Sequence, residues 1–102
     1  MMSKRIELQS VLERILGTTN VYFQPPENLK MVYDCIVYER SQIITFYADN
    51  SPYQLCDRYQ VTAIYRNPDS ELPHRLAMLP QCAHERHFVS NKLHHDVFTL
   101  YY

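Results

Sequence analysis

At 102 residues, 46% of them hydrophobic and 13% aromatic, the chain has the size of one domain with a modest core and is too apolar to be a disordered tail. Ten Lys and Arg against eleven Asp and Glu leave a net charge of −1, which excludes the strongly basic surface of a dedicated nucleic-acid binder but not a ring with a locally charged lumen. Apolar runs such as Ile36-Val37-Tyr38 fall far short of the roughly 20 residues that cross a bilayer, so no membrane is expected.

No secretory h-region follows Met1-Met2-Ser3-Lys4-Arg5, so export by a signal peptide is not expected. The three cysteines, Cys35, Cys56 and Cys82, are odd in number and widely spaced, which suits a reducing cytoplasm better than a disulfide framework.

In chain order, Leu8, Val11, Leu12, Ile15 and Leu16 fall on one helical stripe and predict a helix over about residues 4–16, capped by Ser3 and stopped by Gly17, the only glycine. Its stripe faces the core, or alternatively a partner. Val21-Tyr22-Phe23 predicts a short extended piece, and Pro25-Pro26 a rigid connector after it. Met31–Glu39 reads as a strand apolar on both faces. Ser41–Tyr47 is β-prone as well, and together with the preceding run suggests either a hairpin or one strand leading into a long loop.

The stretch from Tyr47 to Ser70 carries three backbone instructions. Ala48-Asp49-Asn50-Ser51-Pro52 is a turn in which Asn or Asp must supply positive φ, glycine being absent. Arg58–Arg66 alternates as a strand, with Tyr59, Val61, Ala63 and Tyr65 on one face. Ser70 is expected to cap a helix over about 71–79, placing Pro73 at N3 where its missing amide costs nothing, with Leu72, Leu76, Ala77 and Leu79 available for burial and Pro80 as the stop. Cys82–Val89 and His95–Tyr102 then read as a hairpin joined by Ser90-Asn91-Lys92-Leu93. The expected fold is α+β: two layers, a mainly antiparallel sheet with the N-terminal helix and the short second helix on one face.

No chemistry is demanded by this pattern. Cys82, His84, His87, His94 and His95 include enough ligand types for zinc, but their spacing matches no knuckle, and His84 and His87 are expected on opposite faces of a strand. A cysteine nucleophile with a histidine base has no accompanying oxyanion loop or nucleophile elbow. Among the carboxylates Asp49, Asp57, Asp69 and Glu71, the last two are explained as residues of a helix start. Nine tyrosines without interleaved basic residues favour core packing and a tyrosine-rich subunit interface over base stacking. No catalytic residue, metal or cofactor is therefore expected.

The ordered set Val21-Tyr22-Phe23-Gln24-Pro25-Pro26, Tyr47-Ala48-Asp49-Asn50 with Pro52-Tyr53, Arg58-Tyr59-Gln60-Val61-Thr62, Asn67-Pro68-Asp69-Ser70 and His95-Asp96-Val97-Phe98-Thr99-Leu100-Tyr101-Tyr102 resembles the small tail-completion or tail-terminator proteins of tailed bacteriophages, over nearly all of residues 1–102. It departs at Cys56, at Cys82-Ala83-His84 and at Asn91-Lys92, where ordinary polar residues would be expected. The resemblance implies an α+β protomer of the lambda-type terminator kind. Six such protomers would form a ring in the virion neck, assembled in the host cytoplasm.

The implied partners are other copies of the chain, the tail tube protein and the head-completion or stopper protein. No sequence-specific nucleic acid is implied, although genomic DNA would be able to pass through the ring. Within that reading, Tyr47, Asp49, Asn50 and Tyr53 are the expected contact residues toward a neighbouring subunit or the tube, the alternative being a surface connection that touches nothing. A head-side connector or minor capsid protein, and a small non-viral cytoplasmic binding domain, are the competing readings.

Overall fold

The computed structural model describes residues 4–49 and 51–102, and of 46–48 and 51–55 it describes the backbone alone. The elements are α1 (Lys4–Leu16), β1 (Val21–Phe23), β2 (Cys35–Ala48), β3 (Ser51–Tyr65), α2 (Leu72–Ala77), β4 (Cys82–Ser90) and β5 (Leu93–Tyr101). The strands form one sheet in the order β1-β2-β3-β5-β4, antiparallel except for the β1–β2 pair. The α+β architecture expected from the pattern is the one observed.

The apolar stripe of α1 lands on this sheet. Leu8 and Leu12 are fully buried and join Leu72 and Leu76 of α2 over Tyr38, Tyr59, Val61, Ala63, Phe98 and Leu100, so both helices share one face. Polar atoms at the edge of this layer are paired: Gln9 Nε2 donates to the Val21 carbonyl (3.0 Å), Tyr38 Oη donates to Gln9 Oε1 (2.5 Å) and Arg5 donates to Tyr38 Oη (3.2 Å). Gly17 ends α1 with φ +89°, its N–H donating to the Glu13 carbonyl at 2.8 Å. The expected cap Ser3 lies outside the described residues.

Three boundaries differ from the sequence expectation. Met31–Asp34 is not strand, because β1 pairs with β2 in parallel and the chain must spend residues 24–34 returning to the start of the next strand. Asp34 anchors that return by accepting the Arg66 N–H (3.1 Å) on Oδ1. The second helix is shorter than 71–79 and its N-cap is Glu71, not Ser70; the Ser70 hydroxyl still accepts the Leu72 N–H at 3.3 Å. Its end tightens through Met78 N–H to Arg75 O (3.3 Å) and Leu79 N–H to Leu76 O (3.1 Å), leaving Ala77 exposed and Leu79 half-buried.

The third difference is the most consequential. Residues 41–47 do not fold back on the preceding run as a hairpin; the two runs form the one strand β2, to Ala48, but no long loop follows, because β3 begins already at Ser51, so Pro52 is strand. Of the expected turn Asp49, at φ +53°, is the one described residue between the two strands, and Asn50 lies outside the described residues. The Asn91-Lys92 turn of the β4–β5 hairpin likewise uses two positive φ values, +51° and +63°, the two-residue geometry that matches strand twist.

Replacement of Gly17 by Ala meets no atom within 4 Å yet forces a side chain to φ +89°, so it should cost about 1 kcal/mol in denaturant unfolding. Leu12→Ala, which empties a fully buried site, should cost about 2–5 kcal/mol in the same measurement. Equal losses for the two variants would contradict this assignment of cap and core.

Candidate functional site

Two places in the fold carry polar chemistry or unusual exposure. The first is the outer half of the β2–β3 hairpin. β1 ends opposite Tyr38 and β5 ends with Tyr101 opposite Arg58, so beyond the Gln42–Arg58 pair the two long strands have no other strand beside them among the described residues. This arm helps account for a molecule 51 Å long but only 25 by 24 Å across.

The arm's base is a polar collar. Arg40 Nε meets Asp57 Oδ2 at 3.2 Å, Tyr59 Oη donates to the same carboxylate oxygen at 3.3 Å, and Arg58 Nε donates to Ser41 Oγ at 3.1 Å. Beyond the collar, from Ser41 to Cys56, the sequence contains one charged residue, Asp49, at the tip and exposed. Ile43, on the arm, is 55% exposed. Of the four expected contact residues, Tyr47 and Tyr53 lie on the two strands near the tip, Asp49 forms the turn, and Asn50 is outside the described residues.

The second place gathers His84, His87 and His94, weighed in the sequence as zinc ligands, around Asp96, which the sequence did not single out. Asp96 of β5 is 5% exposed on the helix-covered face and accepts three hydrogen bonds: from Tyr65 Oη on Oδ2 (2.5 Å), and from His84 Nε2 (2.8 Å) and His87 Nδ1 (3.0 Å) on Oδ1. His84 and His87 were expected on opposite faces. A β-bulge at Glu85 corrects that: His84 pairs with Phe98 and Arg86 with Val97, so one residue is absorbed and both imidazoles reach the same carboxylate. Glu85 itself turns to the other face, where it accepts a hydrogen bond from the Thr99 hydroxyl.

His94 closes the group, stacked on Tyr65 (centroids 5.3 Å apart) and on His87 (5.5 Å). Beside it a cleft of about 290 Å³ opens between α2 and the sheet, lined by Tyr65, Ser70, His74, His84, Asp96 and Phe98.

A carboxylate can only accept, so both imidazoles present N–H to it, leaving His84 Nδ1 and His87 Nε2 as the free ring nitrogens of the neutral forms. Burial works to raise the Asp96 pKa, but the bonds from Tyr65, His84 and His87 outweigh it and hold the carboxyl below its ordinary value. Burial and the Asp96 bond together push the Tyr65 hydroxyl well above the usual tyrosine range. What this arrangement does mechanically is clamp the edge strand β4 to β5 across its bulge. Among the described residues no group of three or more His, Cys, Asp or Glu side chains is arranged to hold a metal ion.

The other carboxylates do not gather. Asp57 belongs to the collar, Asp49 to the tip, and Asp69 and Glu71 precede α2, where Glu71 pairs with Arg75 at 3.4 Å. The cysteines are free thiols, and burial pushes Cys35 and Cys82 up to about 11, against the thiolate that a nucleophile needs. No helix among the described residues is long and apolar enough to cross a membrane. Comparison with protein-family models, with curated proteins and with solved structures gives no match to this chain.

Asp96→Ala leaves the buried Tyr65 hydroxyl without an acceptor and should cost about 1–3 kcal/mol in chemical denaturation. The depressed Asp96 pKa means that below about pH 4 the unfolded chain binds a proton the folded chain still refuses, so stability present above that pH is lost as pH falls. Asp96→Asn, which keeps the shape and one acceptor oxygen, should flatten that acid limb; an unchanged limb in pH-dependent unfolding would contradict the role given to Asp96.

Proposed function

We propose that this chain is a structural subunit of a phage neck: a self-associating protein whose ring, six-membered by the resemblance, terminates the tail tube and joins it to the head-completion protein. The observation that carries the proposal is the β2–β3 arm. An isolated two-stranded ribbon is marginal in water, and this one is uncharged from Ser41 to Ala48 and from Ser51 to Cys56. A ribbon of that composition is suited to contact another protein surface. A charged collar at its base and a single aspartate at its tip are consistent with an element that enters an assembly and meets solvent again at its ends.

The motif resemblance supplies the kind of assembly. An assembly role also asks for no turnover chemistry, and the saturated Asp96 clamp is well explained as a fastening of the edge strand. By the same reading Tyr47, Asp49, Asn50 and Tyr53 occupy the end of the arm that faces a neighbouring copy or the tube.

Removal of the protein from an assembling phage is the direct test. Electron microscopy should then show overlong tubes, or tails detached from heads, and normal virions would sink the proposal. Sedimentation of the purified chain, alone and with tail tubes, should show a ring; a head-side connector or an unrelated binding domain would not associate with tubes.

A further inference from the structure

Building on the ring assembly above, we propose that the arms of neighbouring copies join edge to edge, β3 of one copy hydrogen-bonding with β2 of the next, so that the ring is lined by one continuous antiparallel sheet. β1 leaves the β2 edge at Tyr38 and β5 leaves the β3 edge at Arg58, which pairs with Gln42, so beyond the Gln42–Arg58 pair neither edge of the arm has a strand beside it among the described residues. Copies related by rotation about an axis along the arms keep those arms parallel, so the descending β3 of one meets the ascending β2 of the next, and the alternation of strand direction inside the hairpin carries on across the seam.

The backbone groups for this seam can be named. On β2 the Ile36 and Arg40 N–H groups point outward, bonded to Asn20 O (3.0 Å) and Gln24 Oε1 (3.3 Å). The register shift at Ser41 resets the alternation, which turns Ile43 and Thr45 outward. On β3 the partner of Ile43 is Asp57, whose carbonyl does point outward, accepting the Tyr102 N–H at 3.0 Å; Leu55, opposite Thr45, follows.

Charge disfavours the competing pairing. Glu39 is exposed and has no ion-pair partner among the described residues. The competing two-fold arrangement, β2 on β2 centred on Ile44, places Glu39 against Asp49 of the other copy, acid on acid.

Proline at an outward-facing position deletes a seam hydrogen bond and leaves the intrachain ladder whole. Thr45→Pro in the full chain should therefore abolish the ring in sedimentation velocity while thermal unfolding of the monomer stays near that of the parent. Ile43→Pro, at the other outward-facing position of β2 beyond the bulge, should do the same. A ring that forms unchanged in both variants overturns the edge-to-edge seam and leaves the ring proposal standing. A parent chain that stays monomeric both alone and with tail tubes overturns both. Should one variant fail to fold, the other decides.

Discussion

Everything in this fold is registered on the ladder between β2 and β3. It is the longest pairing in the molecule, and β1, β5 and through β5 also β4 take their places from it. Because side chains alternate with period two, that register decides which residues face the helices: Ile36, Tyr38, Tyr59, Val61 and Ala63 point to α1 and α2, and a slip of one residue would expose them all. The bulge at Ser41 falls between the last β1 partner, Tyr38, and the Gln42–Arg58 pair where β5 ends. There the ladder changes from a core element, buried on one face, into an arm with free edges.

A second constraint operates at the opposite side of the sheet. Burying a carboxylate is costly unless its lone pairs are taken up, and Asp96 meets that condition with donors from two other strands. Three elements are thereby tied at one point: β3 through Tyr65, β5 through Asp96 itself, and β4 through both histidines. β4 is otherwise exposed along its length and contributes little to the core, so the clamp and its backbone ladder hold it in place. The same bulge and the charges around it also blunt β4 as an edge. The guarded edge at β4 and the unguarded edges of the arm differ in kind, and that contrast is why the arm is the surface assigned to assembly.

Much of this was legible in residue order. The i, i+3, i+4 stripe of Leu8, Leu12 and Ile15 and the positive-φ stop at Gly17 define α1 by themselves, and the alternation from Tyr59 to Tyr65 defines the inner half of β3 with its buried face. Asp96 was also within reach, since it is the lone acid in a series with Phe98 and Leu100 that points into the core. The arm was harder. Pro52 and Asn50 carry turn chemistry, and local propensity spreads a turn over all five residues from Ala48 to Pro52; pairing between two long strands takes Ala48, Ser51 and Pro52 into the ladder.

The sequence by itself therefore determined the classes of element, their order, the helix-facing residues and the α+β architecture, because periodicity and capping are local properties of a chain. Only the tertiary structure decided that His84 and His87 share a face, that Asp96 gathers them, and that the β2–β3 ladder outruns its neighbours. The physical reason is common to all three. Bulges and strand ends are set by which partner strand is present and where it stops, and that information resides in contacts between residues far apart in the chain.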